Sequence, residues 1–262
     1  MTRVIAVVNQ KGGVGKTTTT MNLGAGLARC GQRVLLVDTD AQANLSAHCG
    51  TTVDGNEATA QGTMYEVLRY GKPLADIILS AKENLWLAPA SLLLSAADLE
   101  LGGVIGRESL LRRSLSPLLT AYDFVVIDCP PSLGLLSLNG LVACSEVIVP
   151  VQSEFLALHG VRQLLDTIDQ VRSAYNPSLR IGGVLICMHD ARRRLARSVA
   201  DTVREYFGNL VFETIVRTNV ALAEAPASGE AIFEYDSRAS GAQDYADLAD
   251  EVLRRGKKDN LV

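Results

Sequence analysis

The chain has 262 residues, 48% of them apolar and 21% charged, and a formal net charge of -4 at pH 7. That length can bury a full core, the composition lies far from the disordered range, and the acidic balance excludes a global pull toward nucleic acid, so such binding must come from a local basic patch. Five cysteines (Cys30, Cys49, Cys129, Cys144, Cys187) are scattered without a CxxC pair, which suggests no zinc site or disulfide framework and reads as small buried hydrophobes in a reducing compartment.

From the N-terminus, Val4 to Val8 is a short β-branched run that predicts a strand. No charged region, long apolar stretch and cleavage site come in sequence, and no later run approaches a membrane span, so a cytoplasmic protein without a membrane partner is expected. A Gly-rich loop follows, Gln10-Lys11-Gly12-Gly13-Val14-Gly15-Lys16-Thr17-Thr18, and then a helical pattern from Thr17 to Arg29. Gly31-Gln32 turns the chain into Arg33 to Val37, a continuous apolar run of the kind buried on both faces of a parallel sheet. Asp38 and Asp40 come directly after it.

The polar stretch Gly50 to Gly62 reads as a long surface loop, and Ser95 to Pro117 as one or two helices. Further buried strands are predicted at Leu85 to Leu87, Phe124 to Ile127, Glu146 to Val151 and Ile181 to Ile186, with a short one at Leu210 to Glu213. Asp128 ends the third of these apolar runs after the loop. Past Met188-His189-Asp190, the arginines Arg192, Arg193, Arg194 and Arg197 open a helix reaching toward Phe207, with Arg204 further along. The charged tail 254–262 is expected to fray.

Strands alternating with helices imply βαβ units with right-handed crossovers. The expected fold is α/β: one domain over 1–262, a doubly wound, mostly parallel sheet with helices on both faces, since no repeat or Pro/Ser-rich linker offers a boundary.

Strand, Gly-rich loop, Lys-Thr and helix together make a P-loop. Its glycines let backbone N–H groups curl around phosphate oxygens, Lys16 reaches the outer phosphates, and the Thr17 hydroxyl suits magnesium. Gln10 replaces the usual first glycine and Lys11 adds a second lysine inside the loop. Phosphoryl transfer also needs carboxylates at the carboxyl ends of neighbouring strands, to hold the hydrated ion and orient water. Asp38, Asp40 and Asp128 stand at such ends.

With these residues the sequence resembles the deviant Walker A ATPases, and among them the ParA/Soj family of chromosome and plasmid partitioning proteins. The resemblance rests on KGGVGKTTT at Lys11 to Thr19, NLG at Asn22 to Gly24, VLLVDTDAQAN at Val34 to Asn44, VVIDCPPSLG at Val125 to Gly134 and NVALAEAPASG at Asn219 to Gly229. It implies that Lys11 crosses to a partner subunit's nucleotide, so that ATP drives a face-to-face homodimer in which Gly12 lies where the phosphate loops meet. Two facing triphosphates need the extra positive charge. It further implies that Gly12, Gly13, Val14, Gly15, Lys16, Thr17 and Thr18 cradle ATP, that Thr17, Asp38 and Asp128 serve magnesium, and that Asp40 positions the attacking water. Aspartate carboxylates are weak bases, so turnover is expected to be slow until a ParB-like activating protein stimulates it.

By the same resemblance Arg217, Asn219 and Pro226 border the adenine base, and Arg192, Arg193, Arg194 and Arg197 contact DNA nonspecifically. Two positions depart from the pattern, Ala221 and Glu230 standing where relatives commonly carry basic residues. Other outputs of the same ATPase core remain open: positioning of a chemotaxis cluster or microcompartment, and membrane association as in MinD. The tail from Leu253 has too little apolar surface for the latter. An iron-sulfur carrier requires paired cysteines that are missing. The short stretch before Val4 suggests the small type of partition ATPase rather than the type carrying a helix-turn-helix.

Overall fold

A computed structural model describes residues 2–51, 61–153 and 157–259. Its strands are β1 (Arg3–Val7), β2 (Val34–Asp38), β3 (Leu79–Lys82), β4 (Leu85–Ala88), β5 (Phe124–Asp128), β6 (Glu146–Gln152), β7 (Arg180–His189) and β8 (Val211–Arg217). They form one eight-stranded sheet in the order β3-β4-β2-β5-β1-β6-β7-β8. All neighbours pair parallel except β3 with β4.

Apolar residues on both faces make the central strands two-sided. Along β1, Val4 and Ala6 join a core with Leu35, Val37, Val125 and Ile127, while Ile5 and Val7 join the opposite core with Leu36 and Val126. On that second side lie Met21, Leu23 and Leu27 of helix α1 (Lys16–Arg29), with Tyr245 and Leu248 of the helix Ser240–Asp259. Close approach needs a glycine in α1: a Cβ at Gly24 would stand 2.5 Å from Leu36 Cδ2. The outer edge of β8 is closed by a carboxylate, because the Glu213 and Thr214 amides donate to Glu251 at 2.9 and 3.0 Å. Capping an edge in this way removes its pairing template.

Chain order explains where the site falls. From β1 the chain moves out to β2, then to β3 at the sheet's edge and back to β4, before returning to insert β5 between β2 and β1 and building β6 on the far side. The crevice at such a reversal, at the carboxyl ends of the strands, is where doubly wound sheets bind ligands. Register places Val7 beside Asp128 and Asp38 beside Asp128, so the loop after β1 and both carboxylates share one level.

Several expectations are corrected or refined. The antiparallel edge strand β3 was not anticipated, because LSAK lacks the β-branched run that marks the others. The strand expected at Leu210 to Glu213 runs from Val211 to Arg217. Ser95 to Pro117 holds short pieces, helices Ala97–Glu100 and Leu110–Leu115 among 3₁₀ turns. The tail expected to fray from Arg254 is helical to Asp259, with Arg255 bonded to Glu251 at 2.8 Å and to the Val211 carbonyl at 2.7 Å. Most of the loop expected at Gly50 to Gly62 lies outside the described residues, as do 260–262. Of the cysteines, Cys129, Cys144 and Cys187 are buried as expected, but Cys30 is exposed and Cys49 intermediate.

Candidate active site

Between β1 and α1 the loop is shaped by two left-handed glycines, Gly13 at φ 72° and Gly15 at φ 92°, a region that L side chains adopt only with strain. Gly15 is the N-cap of α1 and no side chain caps that end. The first-turn N–H groups therefore remain available to an anion, reinforced by the helix dipole. Val14 is buried and pins the loop to the core.

The loop is also held from β6. Asn9 donates to the Pro150 carbonyl at 2.6 Å and accepts from the Lys11 amide at 3.0 Å. Gln152 donates to the Gly13 carbonyl at 2.8 Å and accepts from Lys11 Nζ at 3.1 Å. Its amide also lies 2.9 Å from Met188 Sδ, and Met188 itself sits at φ 52°. A non-glycine in that region stores about 1–2 kcal/mol.

Below the loop are Lys16 and three buried carboxylates. Thr17 Oγ1 donates to Asp128 Oδ2 at 2.7 Å, and Thr20 Oγ1 stands 3.4 Å from Asp128 Oδ1. Thr39 donates both its amide and its hydroxyl to the Asp128 carbonyl, at 3.0 and 2.6 Å. Asp38 accepts the Asp40 amide at 3.1 Å on one oxygen, and the Ser46 amide and hydroxyl at 2.9 and 2.7 Å on the other. Asp40 accepts the Gln42 amide at 3.0 Å. Asp38 thus folds the loop after β2 back on itself and fixes Asp40 in place.

Electrostatically the cluster is short of positive charge. Burial, with Asp38 close by, pushes the Asp128 carboxyl up to about 8, and burial pushes Asp38 up to about 6. Burial also lowers Lys16, against the pull of Asp128 and Asp40. Among the described residues Gln10 Nε2 is a buried donor with no protein acceptor. Excess buried carboxylate calls for a cation, while an orphaned donor and an uncapped helix end call for an anion; a magnesium nucleotide supplies both. No three His, Cys, Asp or Glu side chains among the described residues form a metal cage. That fits magnesium, which keeps its waters and takes phosphate oxygens in preference to an all-protein shell.

The segment expected to border the base is only partly held together by the bonds seen. Arg217 pairs with Asp244 at 2.5 Å and donates to the Ser240 carbonyl at 3.2 Å, while Asn219 donates to Ser240 Oγ at 2.8 Å. Thr218 donates its amide to the His189 carbonyl, which sets this segment beside β7 and the Met188 wall of the loop. Pro226 lies further on, in the 3₁₀ turn Ala225–Ser228, and none of these bonds reaches it.

All four patch arginines are exposed at the start of the helix Arg194–Phe207. Arg193 pairs with Asp190 at 3.4 Å and Arg197 donates to the Ala191 carbonyl at 2.6 Å. Positive charge at a helix N-terminus opposes the dipole by a few tenths of a kcal/mol per residue or more, so stability does not explain it. Among the described residues no helix is long and apolar enough to cross a membrane.

Several supporting residues escaped the sequence reading: Asn9, Ser46, Gln152 and Met188. Ser46 alone carried a signal, since a serine eight residues past a strand-end Asp can satisfy it. The contacts of Gln152 and Met188 with the loop span more than a hundred residues.

A phosphate loop at a topological switch point, flanked by buried strand-end aspartates, defines a doubly wound P-loop nucleotide hydrolase. A family model described as an AAA domain matches residues 2–181. The chain is 46% identical over 257 residues to sporulation initiation inhibitor protein Soj of Bacillus subtilis, covering 98% of this chain and 100% of that protein. It is 45% identical to chromosome-partitioning ATPase Soj of Treponema pallidum, covering 97% and 98%. Among solved structures, cobyrinic acid a,c-diamide synthase of Mycobacterium smegmatis, with bound ADP and magnesium, superposes with a TM-score of 0.85 at 38% identity, covering 98% of this chain and 96% of that one. The chain belongs to the Soj/ParA family of ATPases.

Proposed function

We propose that the chain is an ATP-timed switch for chromosome or plasmid partitioning: it dimerises on binding ATP and magnesium, grips DNA nonspecifically, and hydrolyses ATP slowly until a ParB-like protein stimulates it. The family and the names of its relatives support the partitioning role. In each site Gly12, Gly13, Val14, Gly15, Lys16, Thr17 and Thr18 hold the phosphates. Thr17 ligates magnesium, Asp38 and Asp128 order its water shell, and Asp40 orients the attacking water. Magnesium supplies charge neutralisation at the phosphates. Asn219 with Arg217 and Pro226 border the base, Arg217 chiefly by bracing the segment through Asp244.

The observation that carries dimerisation is Gly12. It has no positive φ, and a Cβ built there meets no heavy atom within 4 Å, so the folded monomer gives no reason for a glycine. A second phosphate loop pressed against this one does. Lys11 stands next to it, resting on Gln152 at the loop's flank; on this reading it turns to a neighbouring subunit's phosphates. DNA binding is supported by the arginines at the start of Arg194–Phe207, where their charge and the helix dipole add up for a phosphate. The protein acts in the cytoplasm, at the nucleoid when ATP-bound.

ATPase rate with and without DNA, and with the product of the neighbouring reading frame, tests this reading. Stimulation is expected from the two together; no response to either contradicts it. The Mycobacterium smegmatis name suggests a second use of the same ATP site, amidation of a carboxylic acid. A turnover dependent on a corrinoid acid and glutamine, and indifferent to DNA, would favour it.

A further inference from the structure

Directly after the Asp38–Asp40 loop comes the five-residue helix α2 (Asn44–His48), fastened at both ends. At its start Ser46 is bound by Asp38, and Ser46 Oγ in turn accepts the Ala90 amide at 3.0 Å. At its end His48 is buried, and its Nε2 lies 3.0 Å from the Glu230 carbonyl. Burial lowers the imidazole to about 4, so the ring is neutral, and the carbonyl acceptor places its proton on Nε2.

Two further contacts join the same parts. Gly50, two residues past His48, packs on Gly229 so tightly that a Cβ at Gly229 would stand 2.9 Å from Gly50 Cα. Beyond Glu230 the Ile232 amide donates to Asn22 Oδ1 at 2.8 Å, and Asn22 donates to the Thr18 carbonyl at 2.9 Å. The segment that starts at Asn219 is therefore tied to the phosphate-loop helix through Asn22 and to the aspartate loop through His48. These contacts gather at the C-terminal end of the segment, where they join it to the aspartate loop.

We infer that His48 is a positioning residue that couples the base-binding segment to the Asp38–Asp40 loop, so that an adenine base seated on Asn219 is registered at the aspartates. The inference rests on the reading of Asn219 to Pro226 as the base segment. Losing the His48 bond lets Glu230 and the turn before it drift from α2, which weakens recognition of the base more than the chemistry at the phosphates.

Steady-state hydrolysis of ATP and GTP by the full chain, with His48→Ala, His48→Gln and Asn219→Ala, tests it. His48→Ala is expected to raise KM for ATP about fivefold, the loss of one ordinary hydrogen bond, and to narrow ATP/GTP discrimination by the same factor. kcat should move by less than about twofold, on the same magnitude argument. His48→Gln, whose amide N–H reaches the same carbonyl, should restore KM. A wild-type KM in His48→Ala, or a joint loss of kcat and KM that His48→Gln does not rescue, overturns the coupling. If Asn219→Ala leaves KM unchanged, the base segment itself has been misread. If Asn219→Ala raises KM and His48→Ala does not, only the coupling fails.

Discussion

The Thr17 hydroxyl donates a 2.7 Å hydrogen bond to Asp128 Oδ2, joining the first turn of α1 to the end of β5. One member of the pair is a neutral ligand suited to magnesium and the other a carboxylate suited to its water shell. On the proposed assignment, magnesium would exchange that direct bond for the Thr17 hydroxyl as a ligand and Asp128 as a partner of its water. Thr17→Ala should leave metal-free ADP affinity near wild type and abolish its tightening by magnesium, a loss of about 10–100-fold in affinity measured with the ion present. Titration calorimetry with and without magnesium reads this directly; equal tightening in both proteins would contradict the assignment.

Acidity of the Asp38–Asp128 pair gives a stability test. Asp128 is pushed up to about 8 and Asp38 to about 6 from an ordinary 3.8, by burial first in both cases. Between those limits the folded chain retains protons that the unfolded chain has released. This contribution is complete below the unfolded value and is lost as pH rises through the folded values. Nucleotide-free protein should therefore melt at progressively lower temperature from about pH 5.5 to about pH 8.5, and Asp128→Asn should flatten the trend. Magnesium ADP should flatten it too, by favouring the ionised carboxylates. A Tm that climbs steadily across this range would count against the buried cluster.

The fold was legible because its signals are local. Each parallel strand is a short apolar run that needs no partner to be seen, and Asp38 and Asp128 stand where such runs stop. β3 was invisible for the opposite reason: LSAK is a half-exposed edge whose strand character comes from pairing with β4. Within the site, residues that touch phosphate or magnesium follow from the motif. Those that hold them were hidden, because Gln152 reaches Gly13 and His48 reaches Glu230 across gaps in sequence that carry no periodicity. The helical tail was missed because Arg255 earns its order from the edge of β8, a neighbour that its own sequence does not reveal.

Gly12 offers a steric test of the facing-loop arrangement. Since nothing within the chain opposes a side chain there, and the proposed cradle would use only the backbone N–H of Gly12, Gly12→Val should fold with a wild-type Tm and still bind ATP. It should fail to dimerise. A Gly12→Val protein that still doubles its mass with ATP would remove the observation on which dimerisation rests.

Counterion release gives the proposed DNA contacts a numerical signature. Each phosphate neutralised adds about 0.9 to the slope of log affinity against log salt. Replacing Arg192 and Arg194 with alanine should lower the slope by about 2 and weaken all duplex sequences alike. Arg204→Ala, further along the helix and within ion-pair distance of Asp201 at 3.7 Å, serves as the comparison and should change the slope by less. An unaltered slope in the double variant would move DNA binding elsewhere on the surface.

The central claim, that nucleotide state sets subunit number, is tested most directly by the solution mass of Asp40→Ala. Asp40 is held by its own turn and, in the proposed site, orients the attacking water without holding phosphate, so its loss should trap the ATP state before hydrolysis. Light scattering should give about twice the monomer mass for Asp40→Ala with magnesium ATP, and the monomer mass with ADP and for Lys16→Ala with either nucleotide. A monomer mass for Asp40→Ala at saturating ATP would contradict the account.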